Sequence, residues 1–578
     1  MKFGGARMAG GRVHFEIFVR KYPDSDWKLE SATEVRTIAL DAAHEVINKG
    51  LAAAARVTRE TQDEDSGEFA SLTILTLGVP EKRRKVRVAE STEPLCVTPQ
   101  DLYTVHARDR IGKLFESWLE RQGATPFELL HRPDLVEKLE ASAVEITHAI
   151  QKVAVPEAHA RGTDIPVMVR SFRSLADRAI ERLMRDARKK ALPQVTPETV
   201  GRVAASLLQE AEGAYLLSCG VAGYLAKGKS WGEKVGLLLD LAEAAPPPGA
   251  ARAMTLGVLA QPLAEIVGSK RGLDEILGGG LDLGASLAAM SRLAAAEVID
   301  KLVEIENSVA KIMPNLSPRA QRLALWLGTE DFTGARATIG QRILRELSGP
   351  RRLRPTDPSG EIDVIRGLAM ALTAASGKLL PIDNVQAAFS ARTRMLVTRD
   401  FVESYLGQGR TAHNEAEALI WLTENIIGGG NKREAGRWLQ SLVWSLKFER
   451  EYRDSSGPVA QARLFELAKL QRAVSRCGLV EEDFRPIQTK LGEIGGLIDT
   501  DNGVIAQTLR AHAPALTRLT LLLKLASGEQ GPLGPVADKA RTEALKLARH
   551  DSTRSELATA PDRVDAIRDL LQHAALAA

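Results

Sequence analysis

Aromatic side chains are scarce in this 578-residue chain, at 4% of the total, and cysteines are scarcer, at three. Cys96, Cys219 and Cys477 lie far apart with no CxxC pair and no even count, which excludes a disulfide framework and fits a reducing, cytoplasmic setting. Long apolar runs are missing too. A membrane helix needs about 18 consecutive apolar residues, and the longest candidate, Leu281 to Leu293, is broken by Asp282 and Arg292. The opening MKFGGARMAGGRVHF has no apolar core of the secretory type. No charge sign dominates either: 77 Lys and Arg against 74 Asp and Glu leave +3, far from the balance of a dedicated nucleic-acid binder.

What is present points to packed helices. The chain is 44% hydrophobic and 26% charged, with its apolar residues mainly Ala, Leu, Ile and Val. Such a composition supports folding and suits close helix packing. A single core stops growing at about 250 to 300 residues, so several domains or one elongated array are expected.

The first 78 residues read differently from the rest. RVHFEIFV alternates Val13, Phe15, Ile17 and Val19 against His14, Glu16 and Arg20, the period of a half-buried strand. DWKLES gives a second strand, and Val35, Ile38, Ala39, Ala42 and Val46 fall at helical spacing. AAARVTRE and FASLTILTL add two more strands, predicting a β-β-α-β-β module over 12–78 with its helix on one face of the sheet. At this size it is expected to dock on the rest of the chain or pair with a second copy. Residues 79–97 read as a linker carrying Lys82, Arg83, Arg84, Lys85 and Arg87.

Beyond the linker, strand signals vanish. Thr98-Pro99, Thr196-Pro197 and Ser317-Pro318 are helix-start signals, and Gly123, Gly328, Gly407 and Gly428 sit where helices should stop. Stripes such as Leu135, Leu139, Ala143, Ile146, Ile150 and Val153 recur at helical period, and Val200 to Tyr215 form another. The expected fold is mainly α, an irregular helical array or solenoid-like multi-helix bundle with the small α/β module at its start. Pro- and Gly-rich breaks divide it into helical subdomains at 98–248, 249–355 and 356–578. No signature recurs at a fixed period of 30 to 45 residues.

One motif matches a catalytic pattern in full. Gly223, Gly228, Lys229 and Ser230 satisfy G-x-x-x-x-G-K-[ST], in which backbone N–H groups cradle phosphates, the lysine reaches the terminal phosphate and the hydroxyl holds Mg²⁺. That chemistry needs a preceding strand of a parallel sheet, whereas the periodicity upstream is helical. A phosphate-binding enzyme is therefore the alternative reading, and an interhelical turn is the preferred one.

The loop Gly349 to Gly360 brings Arg351, Arg352 and Arg354 beside Arg342 and Arg345, cations suited to carboxylate or phosphate. Pairing with the nearby Asp357, Glu361 and Asp363 is the simpler reading. Arg392, Arg394 and Arg399 pose the same choice, and GGGNKR at Gly428 to Arg433 reads as a turn with Asn431 as N-cap. The ten histidines are scattered, with no HExxH, no metal-ligand spacing and no nucleophile elbow, so no cofactor is expected. These readings favour a non-enzymatic scaffold that binds a protein partner through its helical surface. A nucleic-acid binder using the arginine-rich loops is a further alternative, disfavoured because no aromatics interleave with the cations.

Overall fold

A computed structural model describes residues 13–22, 25, 27–62, 69–78, 95–142, 144–454, 459–559 and 563–576. The first described elements are β1 (Val13–Arg20), β2 (Lys28–Thr33), α1 (Arg36–Asn48), β3 (Ala54–Gln62) and β4 (Phe69–Gly78). They form an antiparallel sheet in the order β2-β1-β3-β4. The alternation in β1 has the predicted consequence: Phe15 and Ile17 bury against Ala39 and Ala43 of α1 and against Ala55 and Val57 of β3. Gly78 has a φ of +87°, and a Cβ there would lie 2.2 Å from the Ala53 carbonyl oxygen, so only glycine fits.

The chain divides into two units, residues 1–95 with 151–172, and residues 96–150 with 173–578. The first unit holds the sheet module and a second small core in which Leu95 meets Ala154, Ala158 and Met168. In the second unit every described regular element is helical, bringing the total to thirty α-helices among the described residues. One apolar core runs through it from Phe127 to Ala574.

From Pro358 to Thr559 the helices recur in the order long, long, short. The triplets are Pro358–Ala374, Ile382–Leu396 and Arg399–Leu406; Ala412–Asn425, Gly429–Val443 and Leu446–Arg453; Ala460–Arg476, Glu481–Asn502 and Val504–Arg510; and Ala515–Ala526, Pro535–Ala548 and Asp551–Thr559. The second helices begin at residues 382, 429, 481 and 535, which are 47, 52 and 54 apart. The first helices of the first three triplets pack in succession, and all four second helices do likewise, giving two layers. The recurrence lies in helix order and length, beyond the 30-to-45-residue window in which the sequence shows no repeat.

Several local expectations need correction. Ser317 caps helix Pro318–Leu327, accepting the Ala320 N–H at 3.2 Å, but Thr196-Pro197 opens a turn and its helix starts only at Val200. There the Thr196 N–H donates to the Thr199 hydroxyl at 2.9 Å and delays the helix. Gly123 and Gly407 end their helices with positive φ, whereas Gly428 precedes helix Gly429–Val443 instead of ending Ala412–Asn425, and Gly328 has a φ of −70°, because the chain continues directly into the 3₁₀ turn Glu330–Phe332. The stripe from Leu135 to Val153 is shared by two helices, Pro133–Ala141 and Val144–Arg161, and the stripe from Val200 to Tyr215 is broken between Leu207 and Gly213.

Candidate partner-binding face

Several carboxylates of the second unit close helix ends. Glu275 accepts the Trp231 and Gly232 N–H groups at 3.1 and 2.9 Å. Glu451 does the same for Ala412 and His413 at 2.6 and 3.0 Å, and Glu556 for Ala515 and Leu516 at 2.8 and 2.9 Å. Each carboxylate thus covers two orphan donors at a distant helix N-terminus, where the helix dipole also favours negative charge. Burial pushes the Glu275 carboxyl up, and the Gly232 and Trp231 N–H groups with the Ser230 hydroxyl outweigh it, holding it below its usual range.

Cations close the opposite ends. Arg392 is wholly buried and donates to the carbonyls of Leu347, Arg351 and Glu346 at 2.7, 2.6 and 2.8 Å, at the C-terminus of helix Thr333–Ser348. Lys432 donates to the carbonyls of Thr423, Glu424 and Cys477 at 3.0 to 3.2 Å, clamping the ends of helices Ala412–Asn425 and Ala460–Arg476. These contacts correct two sequence readings. Arg392 is no member of a surface cluster, although Arg394 and Arg399 are exposed. Asn431 lies inside a helix that begins at Gly429, and its amide donates to the Ser390 and Ile427 carbonyls instead of capping.

The phosphate-loop match dissolves in the same way. Gly223 lies within helix Gly213–Leu225, so a helix and no parallel strand leads into the loop. Ser230 accepts the Glu233 N–H at 3.2 Å, while the Lys229 N–H donates to the Glu233 carboxylate at 2.8 Å. The hydroxyl and amide that would face a phosphate are therefore engaged in capping helix Trp231–Glu243. Gly228 is required by packing, since a Cβ there would stand 2.8 Å from Cγ of Lys234.

The cations of the Gly349 to Gly360 loop are largely neutralised within the chain. Arg352 donates to Glu361 at 2.9 Å, and its guanidinium lies 5.0 Å from the Phe401 ring. Arg354 is 3.6 Å from both Asp282 and Asp357, and Arg342 is 3.6 Å from Asp274. Arg345 and Arg351 are exposed. A cleft of about 230 Å³ joins Lys270, Arg342 and Arg351, but Asp274 and Glu346 line it as well. Lys82, Arg83, Arg84, Lys85 and Arg87 lie outside the described residues.

The densest cluster of titratable groups surrounds helix Pro126–His131. Lys234 Nζ is 2.7 Å from both Glu128 oxygens, and Glu265 accepts from Arg108 Nε and the Phe127 N–H, each at 2.8 Å. His131 Nδ1 donates to the Phe127 carbonyl at 2.7 Å, which fixes that tautomer. Burial pulls His131 down to about 3, against the opposing pull of that carbonyl, and pushes the Cys219 thiol up to about 12. A neutral histidine and an un-ionised thiol are the reverse of activated catalytic groups. The cluster ties helices together.

Two grooves with a different character lie between successive first helices of the triplets. One, of about 330 Å³, separates Ala460–Arg476 from Ala515–Ala526 and is lined mainly by the apolar Val459, Ala462, Phe465, Leu521 and Leu525, with Gln461 and Gln530 beside them. The other, of about 300 Å³, separates Ala412–Asn425 from Ala460–Arg476 and is lined by Ile420, Glu424, Lys469, Arg472 and Arg476. They adjoin: Lys469 Nζ stands 4.5 Å from the centroid of Phe465. Val459 is 73% and Phe465 38% exposed, side by side with the apolar wall of Leu521 and Leu525. The sequence reading passed over this face. Its signal is helical: Leu464, Leu467, Ala468, Gln471 and Val474 bury, so Phe465 falls on the opposite stripe with Gln461, Lys469, Arg472 and Arg476.

Among the described residues no three His, Cys, Asp or Glu side chains converge as a metal set, and no helix is long and apolar enough to cross a membrane. No protein-family model matches the sequence, and neither the curated proteins nor the solved structures contain a match to it.

Proposed function

We propose that this chain is a non-enzymatic cytoplasmic scaffold whose layer of first helices receives a protein partner. The observation that carries the reading is the pair of adjoining grooves on that layer, one apolar and one basic, with Phe465 between them. The recurrence of helix triplets supports a repeat-like array, an architecture that offers extended surfaces without cofactors. The engagement of Lys229 and Ser230 in capping weighs against the nucleotide-binding alternative. The pairing of Arg352 and Arg354 weighs against nucleic acid at that loop. The N-terminal sheet ends in edge strands β2 and β4 and exposes Leu29 and Leu72, which supports a second docking or self-pairing element.

The test is affinity purification of the full chain from its source cell, alongside Phe465→Glu and Leu521→Glu variants whose folding is checked by thermal unfolding. A stoichiometric protein recovered with the parent chain and lost with both variants is expected. Recovery of the chain alone with bound nucleotide, or equal recovery of the partner by the variants, would overturn the reading.

A further inference from the structure

We infer that the segment received by this face is acidic at one end and apolar at the other, an amphipathic stretch of another protein with aromatic or aliphatic anchors followed by carboxylates. The inference rests on the scaffold reading and adds the chemistry of the partner.

Several cations of the array are taken up by carbonyls or carboxylates, as at Arg392, Lys432 and Arg352, and the exposed Arg345, Arg351 and Arg394 have no apolar groove beside a phenyl ring as Lys469 does. In the basic groove Arg472 is likewise held, donating to the Gly528 carbonyl. Lys469 and Arg476 enter no ion pair among the described residues, Lys469 lying over the Phe465 ring, and Glu424 is the single acid lining the groove. Two cations at the rim of an apolar groove repel a basic segment and attract an acidic one.

Spacing sets the register. Along the helix, Lys469 lies four residues and Arg476 eleven residues beyond Phe465, or about 6 and 16 Å at 1.5 Å per residue. Anchors filling the groove at Phe465, Leu521 and Leu525 therefore place the partner's carboxylates about 6 to 16 Å farther along, some four to eleven residues in a helical segment. A guanidinium and an ammonium both take carboxylates there. A nucleic acid would find cations but nothing to gain from the apolar half, where Phe465 is the lone ring.

The probes are two labelled amphipathic peptides of about 18 residues with the same apolar half, one with Glu and one with Lys in the other half, and a single-stranded oligonucleotide as competitor. Each is titrated with the full chain by fluorescence anisotropy. The acidic peptide is expected to bind and the basic one not. The pair Lys469→Glu with Arg476→Glu should weaken the acidic peptide at least about tenfold and admit the basic one, and the neutral pair Lys469→Gln with Arg476→Gln should fall between. Equal binding of both peptides, indifference of the acidic peptide to the charge reversal, or its displacement by the oligonucleotide would overturn the inference. If the co-purified partner is lost with Phe465→Glu yet unaffected by the charge reversal, the acidic class fails and the scaffold reading stands. If Phe465→Glu keeps the partner, both fail.

Discussion

The loop from Arg351 to Arg354 and the stripe from Lys469 to Arg476 carry three cations each, and the surroundings give them different roles. In the loop, Glu361 is 2% exposed and binds both the Arg352 side chain and the Leu353 N–H, while Asp282 and Asp357 flank Arg354. In the stripe, Lys469 and Arg476 face a groove with apolar walls beside it. A count of positive residues ranks the loop first, whereas the pairing of those residues ranks the stripe first. Charge that stabilises a fold is charge already answered.

If the cations that close helix ends are structural, the largest effect falls on Arg392. Its replacement by Ala strands three carbonyls in the core, and a loss of about 3 to 5 kcal/mol in urea unfolding is expected, against less than about 0.5 kcal/mol for the exposed Arg394→Ala. Equal effects would erase the distinction between buried clamp and surface cation. The buried His131 gives the next effect, through pH. Its folded pKa of about 3 lies below the ordinary value of 6.5, so the unfolded chain takes up the proton first as pH falls. Stability should drop by about 1.4 kcal/mol per pH unit below about 6.5 until the folded value is reached, and His131→Phe should remove that slope between pH 6.5 and 5.

Within the loop, Arg352→Ala should cost about 1 to 3 kcal/mol, because Glu361 keeps its burial and loses its partner. Within the stripe, Lys469→Ala and Arg476→Ala should each change thermal stability by less than about 0.5 kcal/mol. A destabilisation above about 1 kcal/mol at either residue would make the stripe part of the fold, and the contrast with the loop would collapse.

Much of the architecture was legible because short-range periodicity encodes it. Period-two alternation at Val13, Phe15, Ile17 and Val19 and helical spacing between Val35 and Val46 pointed to the β-β-α-β-β module, although the face that α1 buries is Ala39 and Ala43 while Val35 and Ile38 are exposed, and the loss of strand signal pointed to the helical remainder. The triplets were hidden, since their helices range from 7 to 22 residues and their spacing from 47 to 54 without shared signature residues. Arg392 was equally hidden: nothing beside it in sequence reveals carbonyls at Glu346, Leu347 and Arg351, more than forty residues earlier, that it will meet. The groove was half visible. Phe465 stands on the polar stripe of its own helix, a conflict with amphipathicity that the sequence pattern alone contains.

The most direct test of the partner face is hydrogen–deuterium exchange on the full chain with and without its co-purified partner. Slowed exchange should fall on Ala460–Arg476 and Ala515–Ala526, with residues 349–360 unchanged. Protection of the 349–360 loop with the first helices unaffected would contradict the account.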